Sequence, residues 1–182
     1  MTDKKWKIIG FTGSLQSDSF NRSALRAAGD LFPADVDFEI IEPMDLPFFN
    51  EDVETKGLPE AVTTFKHRLS EADAFLISTP EYNFSLPPSL KNALDWASRG
   101  DLLPMYGKPI AIMSASPSMM GGVRAQHHLR QVCVSLNLIP VNKPEVFIAT
   151  AQNKFDEDGN LTDVSTREMI RQLIEALMKK LG

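Results

Sequence analysis

Apolar residues along the chain fall into two patterns, short continuous runs and stretches spaced at three and four residues, and these alternate about five times. The clearest run, Ala74-Phe75-Leu76-Ile77-Ser78, belongs to a strand predicted over 73–78 and suits burial on both faces. Similar runs predict strands over 5–12 and 107–114, alternation predicts one over 36–41, and an interrupted fifth strand is predicted over 138–141 and 145–149. Helical spacing predicts a helix over 21–32, with Leu25, Ala28 and Phe32 on one face and Pro33 ending it. A second over 60–71 turns Val62, Phe65 and Leu69 inward, and a third over 87–99 carries Leu90, Ala93, Leu94 and Ala97. Pro87-Pro88 suits the opening turn of the third, because proline lacks a donor that would be unpaired there anyway. Further helices are predicted over 123–136 and 162–181. Strand and helix in alternation mean an α/β fold, a five-stranded parallel sheet with helices on both faces.

One stretch breaks the alternation. Residues 42–59 hold Met44, Leu46, Pro47, Phe48 and Phe49, too apolar for a plain linker, and a loop of this length usually covers a site or a partner surface. The polar stretch 156–160 reads as a turn. It lacks the regular oxygen spacing and final glutamate of a calcium loop.

Composition narrows the function classes. At 182 residues the chain suits one domain, 1–182. No apolar run approaches membrane-spanning length, and the apolar stretch behind the basic start is too short for a signal peptide, so a cytoplasmic protein with no membrane role is expected. A formal net charge of −5 without a basic patch argues against nucleic acid as a partner. Cys133 is the single cysteine, which excludes an intrachain disulfide and thiol-rich metal sites. It reads as a small buried hydrophobe. No metal site is expected, since His127 and His128 diverge by about 100° on a helix and His67 stands alone.

The candidate chemistry lies in three loops at the carboxyl edge of the sheet, where open α/β folds bind ligands. The first, 13–22, lacks the P-loop lysine and the GxGxxG spacing. It offers hydroxyls, an amide and backbone donors ahead of a helix, a setting that can hold a phosphate monoester without metal, although serine and asparagine there also serve as simple caps. The second, Pro80-Glu81-Tyr82-Asn83, brings backbone N–H groups, an aromatic face and a side-chain amide suited to a planar heterocycle. The third, 114–122, is built of small residues that permit close approach. Together the three favour a flavin mononucleotide (FMN) site over three unrelated turns.

On these residues the chain resembles the NADPH-dependent FMN reductases, a family that includes bacterial quinone and chromate reductases. The resemblance runs through Gly13-Ser14-Leu15 with Ser19 and Asn21, then Pro80 to Asn83 with Ser85 and Pro87, then Leu90 to Trp96 with Ser98-Arg99. It implies a flavodoxin-like fold, bound FMN, NADPH (or NADH) as hydride donor and a homodimer or homotetramer. Ser14, Ser19 and Asn21 would hold the phosphate, Pro80, Glu81, Tyr82 and Asn83 would line the ring, and Ser116 would be a further contact. Family members commonly carry arginine at the position of Gln16, which can still hydrogen-bond a phosphate but brings no charge. Either FMN binds less tightly here or Arg22 compensates.

The implied activity passes hydride from NAD(P)H through FMN to a small-molecule electron acceptor, a quinone or a similar compound, a range extending to chromate, azo compounds or free flavin. No side chain is required as acid or base, and none is assigned. The alternatives are a flavodoxin-like electron carrier and a non-catalytic FMN-binding protein. Arg99 and Lys108 are weak candidates for the phosphates of NADPH. Arg124 and Glu145 are candidates for pairing across subunits. Lys91, Asp95 and Trp96 read as helix packing and a subunit contact, and Met119-Met120 as pocket lining or interface.

Overall fold

The computed structural model describes residues 5–43 and 45–182. The basic start at 1–4 and Met44 of the long connection therefore lie outside the described residues. In chain order the elements are β1 (Trp6–Thr12), α1 (Phe20–Gly29), β2 (Val36–Ile41), α2 (Glu51–Glu54), α3 (Glu60–Ser70), β3 (Ala74–Ser78), α4 (Pro88–Ala97), β4 (Pro109–Ala115), α5 (Val123–Ser135), β5 (Ile139–Pro140), β6 (Val146–Ile148) and α6 (Val164–Met178).

The strands form one parallel sheet in the order β2-β1-β3-β4-β5, with β6 also on β4. β5 pairs with Pro109 and Ile110, and β6 pairs with Met113 to Ala115, so the two short strands share one edge as an interrupted fifth strand. Pro140 and Pro144 fall at this break, where residues without an N–H cannot continue a ladder. The order reverses beside β1, whose chain leaves to β2 on one side while β3 lies on the other. That reversal opens a crevice beyond the carboxyl ends of β1 and β3.

Alternation along the strands divides the core between the two faces. Ile9, Phe11, Phe75, Ile77, Ile110 and Ile112 pack under α3, α4 and α5 through Phe65, Leu69, Leu90, Leu94, Leu129 and Cys133. Ile8, Leu76, Ala111 and Met113 pack under α1 and α6 through Leu25, Ala28, Ile170, Leu173 and Leu177. Cys133 is buried as expected, and burial pushes its thiol pKa up to about 12.

Caps set the helix boundaries. α1 begins at Phe20 because Ser19 caps it, and α6 begins at Val164 because Asp163 does, two residues later than the periodicity predicts. The long connection contains α2 and lies on α4. Phe49 N–H donates to Asn92 Oδ1 at 2.7 Å, Trp96 Nε1 donates to the Pro47 carbonyl at 2.7 Å, and the Phe49 ring meets Trp96 edge-on at 5.0 Å. Trp96 and Asn92 are thus the seat of this connection, while Lys91 and Asp95 pair along the helix at 2.6 Å. No helix among the described residues is long and apolar enough to cross a membrane.

Candidate functional site

Three loops leave the carboxyl ends of β1, β3 and β4, and specific contacts hold each to the next. The first turns sharply at Gly13. A Cβ there would stand 2.5 Å from Pro87 Cγ and 2.6 Å from Leu90 Cβ, so only glycine lets this loop lie against the start of α4. Ser89 reinforces the contact by donating its hydroxyl to the Gly13 carbonyl. Ser14 is 4% exposed, and its N–H donates to Thr12 Oγ1 at 3.2 Å.

Beyond Ser14, the backbone N–H groups of Leu15, Gln16, Ser17 and Asp18 find no acceptor among the described residues. Such a row of unpaired donors ahead of a helix start is the backbone arrangement that receives an anion. Ser19 Oγ accepts the Arg22 N–H at 3.4 Å, so this residue caps α1 as well as bordering the row. Gln16 is exposed, with its carbonyl turned to Arg22.

Asn21 turns its side-chain amide toward the sheet. It is 3% exposed, and its Oδ1 accepts from Ser78 Oγ at 3.0 Å and from the Ala115 N–H at 2.9 Å. Its Nδ2 donates to the Ala115 carbonyl at 2.9 Å. The amide thus ties the start of α1 to the ends of β3 and β4.

The second loop holds a tight hairpin. Tyr82 and Ser85 exchange backbone hydrogen bonds at 2.9 and 3.0 Å around Asn83 and Phe84, both with left-handed backbone at φ 48° and 66°. Two central residues at positive φ make a type I′ turn, which asparagine tolerates and phenylalanine rarely adopts. Pro80 is buried, Tyr82 and Asn83 are exposed, and the N–H groups of Glu81 and Asn83 have no acceptor among the described residues.

Glu81 turns its side chain away from its own loop. Its carboxylate accepts the N–H groups of Arg124 at 2.9 Å and Ala125 at 3.3 Å, and pairs with the Arg124 guanidinium at 3.2 Å. Gly122, at the capping position of α5, offers no side chain, so a distant carboxylate takes the cap and satisfies the positive helix end.

In the third loop Ser116 and Ser118 bond each other, with their hydroxyls 3.1 Å apart. Gly121 and Gly122 have φ 58° and 87°, and a Cβ on Gly122 would lie 2.6 Å from Ser114 Cβ. Ser114 donates to the Gly121 carbonyl, and the buried Gln126 amide donates to Ser114 Oγ and to the Val146 carbonyl, both at 2.8 Å. The loop is thereby drawn over the end of β4.

Other charged candidates are engaged within the chain. Arg99 forks onto Glu54, which holds its pKa above the ordinary value. Lys108 donates to the Ser70 carbonyl at 3.1 Å, and burial lowers its pKa. Within the chain, Arg124 pairs with Glu81 at 3.2 Å and Glu145 with Lys143 at 2.6 Å. Gln126 and Arg22 are structural keys that sequence reading did not single out as such. Nothing in spacing marks the first, and the second shows only as a basic residue after a serine cap.

The strand order, the crevice at its reversal and the unpaired donors ahead of α1 define a nucleotide-binding α/β protein of the flavodoxin kind. The chain belongs to the NADPH-dependent FMN reductase family, matching it over residues 6–153. It is 48% identical to an NAD(P)H-dependent FMN reductase of Pseudomonas aeruginosa, over 94% of this chain and 92% of that protein. With a quinone reductase of Escherichia coli the identity is 37%, covering 90% and 88%. Among solved structures, the flavoenzyme NAD(P)H:(acceptor) oxidoreductase FerB of Paracoccus denitrificans superposes with a TM-score of 0.87 at 30% identity, covering 97% of both chains.

Proposed function

We propose that this protein is an FMN-dependent NAD(P)H oxidoreductase that reduces a quinone or a similar acceptor. The observation that carries the reading is the row of unpaired N–H groups from Leu15 to Asp18, beside Ser14 and ahead of α1. A phosphate monoester matches it in charge and in hydrogen-bonding capacity, and no metal is needed. Ser14, Gln16 and Ser19 contribute side chains to this end of the site, while Asn21 fixes the loop. Pro80, Glu81, Tyr82 and Asn83 line the ring, with the N–H groups of Glu81 and Asn83 available to ring carbonyl and nitrogen acceptors. Ser116 borders the ring from the third loop.

Bound FMN supplies two-electron exchange with a nicotinamide and then with an acceptor. The chain's own part is to orient the ring, supply donors to it and leave one face open. No side chain is assigned as acid or base. The exposed Tyr82, Phe84, Met119 and Met120 at the mouth of the site support a homodimer or homotetramer in which this apolar rim is covered. The reading treats residues 1–182 as one FMN-binding domain and places it in the cytoplasm, supported by a single, buried cysteine.

The test is anaerobic reduction of the FMN-loaded protein by NADPH and by NADH in turn, followed by reoxidation with quinones, chromate, azo dyes and free FMN. Bleaching of the flavin band by a nicotinamide and its recovery with a quinone are expected. Failure to bind FMN, or a flavin that no nicotinamide reduces, overturns the reading.

A further inference from the structure

Gln16 leaves the stretch between Gly13 and α1 without a cation, and Arg22, in the first turn of α1, is the nearest in sequence that could stand in. Its guanidinium is turned elsewhere. Nε donates to Glu42 Oε1 at 2.7 Å, and Nη1 donates to the Gln16 carbonyl at 2.6 Å and to the Ser17 carbonyl at 3.0 Å. Across a planar trans peptide the N–H points opposite to the C=O. Fixing these two carbonyls toward Arg22 therefore turns the N–H groups of Ser17 and Asp18 away from it. Those two belong to the row that has no acceptor among the described residues.

We propose that Arg22, held in place by Glu42, is a positioning residue: it builds the donor row and thereby sets the preference for a flavin that carries a phosphate, without serving as the phosphate's counter-charge. Glu42 contributes from the connection after β2, so the pair also joins that connection to the phosphate loop. The inference rests on the reading that this loop receives the FMN phosphate. A planar fork suits the task, because one rigid group serves two carbonyls and a carboxylate. A lysine would keep the charge and lose that geometry.

The two roles predict opposite responses to loss of Glu42. A counter-charge would be released by Glu42→Ala and would bind FMN more tightly, whereas an organiser would lose its anchor and bind FMN less tightly. The full chain, stripped of flavin, is titrated with FMN and with riboflavin by fluorescence, for the unmutated protein, Arg22→Lys and Glu42→Ala. Charged hydrogen bonds of this kind are expected to make Arg22→Lys about tenfold weaker for FMN, with Glu42→Ala shifted in the same direction. Riboflavin affinity should stay within about twofold throughout, since it lacks the group concerned. Unchanged FMN affinity in Arg22→Lys, or tighter FMN binding in Glu42→Ala, overturns the proposal. Equal affinity of the unmutated protein for FMN and riboflavin removes the phosphate reading itself, and is seen before any substitution is made. Glu42 is substantially exposed, so its variant provides a folded test even if Arg22→Lys is unstable.

Discussion

The carboxylate of Glu81 accepts the backbone N–H of Arg124 at 2.9 Å, so the loop that follows β3 caps the helix that follows β4. One side chain thereby sets the spacing between two of the three loops of the site. The N–H groups of Glu81 itself and of Asn83 are left without an acceptor among the described residues.

Loss of that cap should be felt in both stability and binding. Glu81→Ala is expected to cost about 1 kcal/mol, read from urea unfolding followed by circular dichroism, and to weaken FMN binding. Glu81→Gln keeps an acceptor for the helix end and should fall between the two. A Glu81→Ala protein as stable as the parent would show that the contact contributes nothing.

Gly13 should tolerate no side chain. A methyl group would meet Pro87 and Leu90 well inside van der Waals contact, so Gly13→Ala is expected to destabilise by about 1–3 kcal/mol and to weaken FMN binding by moving the loop off α4. Calorimetric unfolding together with flavin titration checks both effects. Normal FMN affinity would separate the packing of this loop from its binding role.

Asn21 should behave as a structural residue. Asn21→Ala leaves Ser78 Oγ and both backbone groups of Ala115 without their partner in a buried setting, a loss of about 2 kcal/mol, measurable by chemical denaturation. Asn21→Asp restores the acceptor but sets a carboxylate beside the Ala115 carbonyl, and should rescue only part of the stability.

Asp163 carries a pH signature. Its carboxylate accepts from the N–H and hydroxyl of Thr166, which holds its pKa below the ordinary 3.8. A lowered folded-state pKa means that the stabilisation is present above the ordinary value and is lost as the pH falls through the lowered one. Asp163→Ala should cost about 1 kcal/mol near neutrality. The difference in melting temperature from the parent should shrink as the pH drops below about 4. A gap independent of pH would exclude the carboxylate as its source.

Much of the fold was legible in the sequence because local patterning and tertiary burial agree. Ala74 to Ser78 reads as a strand covered on both sides, and it lies in the sheet between β1 and β4. The broken run after Leu138 reads as an interrupted strand, and its halves pair with the two ends of β4. Periodicity placed boundaries less well, because a cap such as Asp163 overrides the apolar repeat. The hairpin at Asn83-Phe84 was hidden for a related reason. Asparagine signals positive φ, but phenylalanine does not, and only the closing bonds between Tyr82 and Ser85 hold it there.

At the site, the sequence by itself determined which loops carry polar donors, and that they share one edge of a parallel sheet, since alternation and topology dictate where loops emerge. It could not determine where each polar side chain spends its hydrogen bonds. Asn21 turns into the sheet, Glu81 reaches across to α5, and Arg22 closes on Glu42 and its own loop, while the backbone N–H groups of 15–18 remain open. Apart from the contacts of Arg22 with its own loop, those outcomes are decided by partners 20 to 94 positions away along the chain, brought near only when the sheet and both helical layers have packed. Hydrogen bonding is directional and short-ranged, so it follows tertiary placement, whereas hydrophobic periodicity is a local property that a sequence displays directly.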